Sequence, residues 1–231
     1  MNSNRKTISL FYYISSLEEV DIGFKVINHC ISVFKFDEVI VLSKLNNVNF
    51  SKFINIGCKI VKDDLDASYE SYNFFMVNRL ADHIKTDYVL TAQNDGFIIN
   101  SSAWSDDNFN YDYIGAPWYN PVGQDSLRVG NGGFSLRSSK LLEACKKVSE
   151  NLDCKSTGNE DVFICRHSKG VLENIYDIKF APVKLAAKFS VEWQACPEQT
   201  HIVQDDFDTF DTFGFHGIRY KELMHSKFLQ Q

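Results

Sequence analysis

Four short stretches carry side chains that could do chemistry. Gln93-Asn94-Asp95-Gly96 ends the strand-forming run "DYVLTAQND" on one carboxylate. Gly130-Asn131-Gly132-Gly133 is a glycine loop, Asn159-Glu160-Asp161 carries two adjacent acids, and His216 stands in "FGFHG". A carboxylate at a strand end can hold a hard cation or act on a phosphorylated ligand. A second carboxylate can take the proton of a hydroxyl, worth about 10²–10⁴ in rate. Glycines let a ligand reach the backbone without side-chain clash, and Asn131 could hydrogen-bond it. A histidine ligates Mn²⁺ when neutral and neutralises phosphate when protonated.

Each stretch also has an ordinary explanation. Asp-Gly makes turns, and a glycine loop can simply close a hairpin. Glu160 and Asp161 would complement the positive end of a helix, and His216 between Phe213 and Phe215 would suit a core. Other chemistries are poorer fits. The glycine loop is not G-x-G-x-x-G, because Ser135 takes the last place, and no G-K-[ST] follows, so dinucleotide and ATP loops are disfavoured. The six cysteines (Cys30, Cys58, Cys145, Cys154, Cys165, Cys196) contain no C-x-x-C and read as reduced cytosolic thiols. A net charge of −6 argues against a broad nucleic-acid surface. The apolar runs are strand-length, not the roughly 20 residues of a membrane span.

The elements that must position these groups follow from periodicity. Strands are predicted at residues 7–15, 38–44, 53–61 (weakened by Gly57) and 87–93. Helices are predicted at 16–35, where Ser16 and Glu19 suggest a capping box, and at 68–85. This alternation is that of a mostly parallel α/β sheet, whose ligands bind at the C-terminal strand ends, where Asp95 lies. The second half is less regular. A strand breaks at Pro117, "GNGGFSLR" is a turn and short strand, and helices are expected at 138–151 (capped by Ser138) and 159–174. A strand is expected within 179–192.

The order strand-end acid, glycine loop, x-Glu-Asp and late histidine resembles the motif order of GT-A-fold glycosyltransferases. More narrowly, "QNDGFIINSSAW", "YDYIGAPW", "GNGGFSLRS", "EDVFICR" and "FGFHG" resemble a bacterial family of GT-A-like domains of unknown function from polysaccharide gene clusters. The resemblance spans roughly residues 68–217. It implies an α/β GT-A-like fold, with a mostly parallel central sheet flanked by helices and a small acceptor-side region. One domain is expected over 1–231, its donor-binding half at about 1–100 and its acceptor and catalytic half at about 101–231.

The implied activity is an inverting sugar transfer from a nucleotide-diphosphate donor to a hydroxyl of a cell-surface glycan or lipid-linked glycan. By the resemblance, Asp161 is the general base and Glu160 orients hydroxyls. Asp95 and His216 would hold Mn²⁺ or Mg²⁺, although Gln93 replaces the first acid of D-x-D. Gln93, Asn94, Asp95, Asn131, Gly132, Gly133, Asn78 and Arg79 would contact the donor. Trp118 and Tyr119 would stack on sugar. Arg137 and Lys188 could meet phosphate but read better as solvated surface charge. The glycines of "FGFHG" suggest a loop that orders over the donor. The chain is expected to be cytoplasmic, without a transmembrane segment, and able to work at the inner membrane face. The competing functions are a metal-dependent phosphoryl or nucleotidyl transferase and an inactive nucleotide- or glycan-binding module.

Overall fold

A computed structural model describes residues 5–46, 48–63, 68–119, 128–151, 158–192 and 196–230. Cys154 and the first four residues lie outside them. Parallel strands β1 (Ile8–Ile14), β2 (Glu38–Ser43), β3 (Cys58–Val61) and β4 (Tyr88–Ala92) form one side of a six-stranded sheet. Strands β5 (Tyr113–Gly115) and β6 (Ser135–Ser138) complete it in the order β3-β2-β1-β4-β6-β5, with β6 antiparallel to both β4 and β5. A separate parallel pair joins β7 (Ser190–Val191) to β8 (Gly214–Phe215).

Side-chain alternation along β1 feeds both faces of the sheet. Leu10, Tyr12 and Ile14 join one core with Val26, Ile27 and Cys30 of helix α1 (Glu19–Val33). Phe11 points to a second core with Phe75 and Met76 of α3 (Tyr69–Asn78) and Leu80 of α4 (Leu80–His83). These buried strands are continuous apolar runs because helices cover both faces. No helix among the described residues is long and apolar enough to cross a membrane.

Several expected elements differ in detail. The capping box of Ser16 does not form. Glu19 instead reaches back to Ser15, whose backbone N–H and hydroxyl donate to Oε2 at 2.8 and 2.6 Å. The strand expected from residue 53 begins only at Cys58. Before it lies a short helix α2 (Ser51–Asn55), stopped by Gly57 at φ +87°. The helix expected over 68–85 starts on its cap, Ser68, but breaks at Arg79. There the Asn78 amide donates to the Phe74 carbonyl and competes with the helical ladder.

Ser138 caps α5 (Ser139–Asn151) as expected, accepting from the Leu141 N–H at 3.0 Å. The helix expected from residue 159 is three pieces: α6 (Glu160–Val162), one π turn (Phe163–His167) and α7 (Lys169–Tyr176). The 179–192 segment is mainly a helix, α8 (Val183–Phe189), with only β7 at its end. The chain closes with α9 (Ile218–Phe228).

The topology explains how distant motifs meet. Strands β1 and β4 run parallel, so Ser15 and Gln93 leave the sheet at the same edge. Strand β6 runs the other way, with Ser135 beside Thr91, so the glycine loop preceding it returns to that edge. Strand β5 ends there too, because Gly115 pairs with Ser135.

Candidate active site

Asp95 sits at the tip of a tight turn. Gln93 and Gly96 exchange backbone hydrogen bonds of 2.8 and 3.1 Å, leaving Asn94 and Asp95 as the two turn residues. The turn is also tied down from behind, since Gly217 N–H donates to the Asp95 carbonyl at 2.7 Å and His225 bonds the Asn94 carbonyl. Gly96 is required by close approach: a Cβ there would lie 2.8 Å from the His216 ring. The Asp-Gly turn thus also packs Gly96 against His216.

Beside Asp95 opens a cleft of about 320 Å³, lined by Tyr12, Tyr13, Ser15 and Glu19 from one side and Ser68, Tyr69 and Tyr72 from the other. The Tyr13 and Tyr72 rings stack 5.4 Å apart. Gln93 donates to the Tyr72 hydroxyl at 3.1 Å, and Asn94 donates to Glu19 Oε1 at 3.3 Å. The lining contains acids and hydroxyls but no Lys or Arg among the described residues.

His216 closes the far side of Asp95. Its Nε2 lies 3.2 Å from Gln93 Oε1 and 3.7 Å from Asp95 Oδ1, while Nδ1 is buried without a partner. Burial lowers its pKa, opposed by the Asp95 and Asp161 carboxylates, so the ring is neutral at pH 7. Gly133 exists for this ring: a Cβ there would stand 2.0 Å from Nε2. The "FGFHG" segment is not a loose flap. Phe213 and Phe215 are fully buried, and the backbone is bonded to Lys188, Phe97, Val191 and Asp95.

Among the described residues, no three His, Cys, Asp or Glu side chains converge as a metal cluster. Asp95 and neutral His216 still offer an oxygen and an imidazole nitrogen. Two such ligands suit a hard cation that takes the rest from a diphosphate and water. Nε2 cannot bind a cation and donate to Gln93 at once, so coordination would release that contact.

The glycine loop is fixed by a buried network. Thr91 Oγ1 donates to the Gly132 carbonyl at 2.8 Å, and Arg137 Nη2 reaches the same carbonyl at 3.2 Å. Arg137, expected as surface charge, has 0% of its side chain exposed and pairs with Glu160 at 2.6 Å. Glu160 is likewise buried, and its backbone N–H donates to Asn73 Oδ1 at 2.8 Å. Burial raises the Glu160 pKa and the Arg137 charge opposes the rise. Glu160 therefore braces the loop and does not face an open site. Gly132 is required here, because a Cβ would sit 2.0 Å from Glu160 Oε1.

Asp161 is only partly buried. Gly132 N–H donates to its Oδ2 at 3.2 Å and Val162 N–H to its Oδ1 at 2.7 Å. The carboxylate is thus oriented by two backbone donors and remains reachable. The π turn that follows, closed by Ser168 N–H onto the Phe163 carbonyl at 2.8 Å, is a distortion common near functional sites.

Other expected contacts fall elsewhere. The Asn78 amide is engaged with Phe74, and Arg79 pairs with Asp63 at 2.6 Å. Trp118 already packs under the Arg166 guanidinium, 4.2 Å from the ring centre, and against Gly130, where a Cβ would clash at 2.2 Å. That ring is occupied within the protein, whereas Tyr119 is half exposed. Lys188 is exposed, as its solvated reading requires. Glu192 was not expected. It follows β7, lies beside Asn131, and has a pKa raised to about 7 by burial and by the Asp161 charge, which Asn131 opposes. An acid closing the apolar run "FSV" repeats the signal that marked Asp95.

The architecture is the GT-A fold of nucleotide-sugar transferases. A glycosyltransferase involved in glycosylation of the major capsid of PBCV-1 aligns over 95% of this chain and 99% of its own, with a TM-score of 0.57 and 12% identity. Core-mannan synthase A from Aspergillus fumigatus, in an Mn/GDP form, aligns over 74% and 71%, with a TM-score of 0.53 and 9% identity. Glucosyl-3-phosphoglycerate synthase from Mycobacterium tuberculosis aligns at a TM-score of 0.41 and 16% identity, over 59% of this chain. The chain spans 58% of that synthase's length. No curated protein matches the sequence. The chain belongs to the family described as "Protein of unknown function (DUF5672)", whose model matches residues 55–210.

Proposed function

We propose that the protein transfers a sugar from a nucleotide-diphosphate donor to a hydroxyl of a glycan or lipid-linked glycan, with inversion. The observation that carries this reading is the meeting of Asp95, His216, Asn131 and Asp161 at the C-terminal edge of the parallel strands in a GT-A fold. The cleft beside Asp95 takes the nucleoside, with Tyr12, Tyr13 and Tyr72 as its apolar surface. Its acidic lining repels a bare diphosphate, so binding needs a divalent cation, Mn²⁺ or Mg²⁺. Asp95 and His216 would hold that cation, which offsets the diphosphate charge.

Asp161, aimed by the Gly132 and Val162 amides, takes the acceptor hydroxyl proton. The acceptor oxygen forms a bond to the anomeric carbon. The bond from that carbon to the diphosphate oxygen breaks, and its electron pair leaves with the nucleoside diphosphate. One displacement inverts the anomeric configuration. Glu160 and Arg137 do not touch substrate; they hold the loop that positions Asp161.

The test is a panel of sugar nucleotides incubated with the protein, Mn²⁺ and glycan acceptors, with products read by mass spectrometry and NMR. A new glycosidic bond supports the proposal. A new phosphoester would assign a nucleotidyl or phosphoryl transferase instead. Binding of nucleotide with no turnover on any acceptor would assign a binding module.

A further inference from the structure

Near the proposed transfer centre one buried acceptor atom lacks a donor, and a carboxyl group beside it lacks a cation. Asn131 is held in the left-handed conformation at φ +60° and is 1% exposed. Backbone strain of this kind gathers at functional sites. Its side chain lies beside Glu192, and its Oδ1 is buried with no hydrogen-bond partner among the described residues. Glu192 is itself partly buried, and no Lys or Arg among the described residues pairs with it. A partly buried carboxylate without a cation and a buried amide oxygen without a donor are both unfavourable unless a ligand completes them.

The placement of the pair is fixed by three separate segments. Val191, which precedes Glu192, accepts from the His216 N–H at 2.8 Å, so Glu192 leaves β7 at the His216 end. Gly132, which follows Asn131, is the residue bonded to Asp161. Glu192 also lies close enough to Asp161 to feel its charge. The pair therefore stands between the proposed diphosphate end and the proposed base.

We propose that Glu192 and Asn131 Oδ1 form a hydroxyl-binding pair that reads neighbouring hydroxyls of the donor sugar. The pair has this role only if the cleft takes a nucleotide sugar, as proposed above. With Glu192 ionised, both atoms accept hydrogen bonds, so the matching ligand is a donor of two. A phosphate has no such protons and is repelled by Glu192 and Asp161. Neutral sugar hydroxyls supply them, and a charged acceptor gains most from each bond.

The test is calorimetric titration of UDP, GDP, UDP-glucose, UDP-galactose, UDP-N-acetylglucosamine and GDP-mannose, with Mn²⁺, into wild type, Glu192→Ala, Glu192→Gln and Asn131→Ala. Glu192→Ala is expected to weaken the bound sugar nucleotide about tenfold or more, the scale of a lost charged hydrogen bond, and to leave UDP or GDP within about twofold. Glu192→Gln keeps one acceptor and loses less. Should Asn131→Ala misfold, the two Glu192 variants carry the test alone, with melting temperature of the empty protein as control. Equal weakening of sugar nucleotide and diphosphate would make Glu192 structural and overturn the pair. Unchanged sugar-nucleotide affinity overturns it too, as does wild type that binds diphosphates but no sugar of the panel. A loss seen with Mn²⁺ and absent in EDTA would assign the pair to a cation. No binding of any nucleotide to wild type would remove the donor reading itself, and the pair with it.

Discussion

The two sides of the proposed site treat charge in opposite ways. On the β1 side, Glu19 and Asp95 border an open cleft, and Glu19 is held by Ser15 four residues before it and by Asn94 of the Asp95 turn. On the β6 side, Arg137 and Glu160 are sealed in the interior, joined across 23 residues of sequence. Arg137 Nη1 and Glu160 Oε2 lack partners there. The open side is the one where we propose that the donor binds. The sealed side is a rigid frame, and it is expensive, because burying an ion pair rarely stabilises a fold against an apolar alternative. Its return is position: one guanidinium fixes the Gly132 carbonyl and Glu160, and Gly132 in turn aims Asp161.

This contrast can be broken most forcefully at Arg137. Arg137→Met should destabilise the protein by about 3–5 kcal/mol, because it strands the Glu160 carboxylate in the core. Urea unfolding measures it. A loss below about 1 kcal/mol would mean that the frame is not held by this pair.

The next largest effect is expected at Glu192, and it depends on pH. Its folded pKa is raised to about 7 from the ordinary 4.5, so the folded state holds its proton more tightly than the unfolded one. The associated stability is present below about pH 4.5 and is lost as pH rises to about 7. Glu192→Gln should therefore stabilise the protein at pH 8, by at most about 3 kcal/mol, and make no difference at pH 4. Melting curves across that range check the sign. Destabilisation at pH 8 would show that Glu192 has a structural partner.

Gly133→Ala tests whether the two sides are joined through His216. Its Cβ would meet Nε2 at 2.0 Å, so the ring must shift away from Asp95. A cost of about 1–3 kcal/mol in stability is expected, together with lost Mn²⁺-dependent nucleotide binding. Intact binding would remove His216 from the site. The smallest effect is expected at Arg79, which pairs with Asp63. Arg79→Ala should change UDP or GDP affinity less than about twofold, within the range of a surface change. A larger loss would return Arg79 to the donor.

The parallel half of the fold could be read directly from sequence because its signals are local. Apolar runs mark β1, β2 and β4, and the helical spacing of Val20, Phe24, Ile27 and Ile31 marks α1. Phe53, Ile54 and Ile56 looked like a strand because a short apolar run has no distinct period; Gly57 and the Asn49 bond to Ser51 N–H decide for a helix. Asp95, the glycine loop, Glu160, Asp161 and His216 stood out in the sequence, but which of the two adjacent acids is sealed in the core did not. Whether Glu160 or Asp161 faces the site depends on Arg137, which arrives on another strand and reads as an ordinary surface cation. Glu192 was hidden similarly, since its neighbours Asn131 and Asp161 come from distant parts of the chain.

The most direct measurement of the central claim compares transfer rate and donor affinity in Asp161→Asn. The substitution keeps size and removes the proton acceptor. The proposed mechanism predicts a fall in kcat of about 10²–10⁴ with the dissociation constant of the sugar nucleotide nearly unchanged. Near-wild-type turnover in Asp161→Asn would contradict it and place the base on another group.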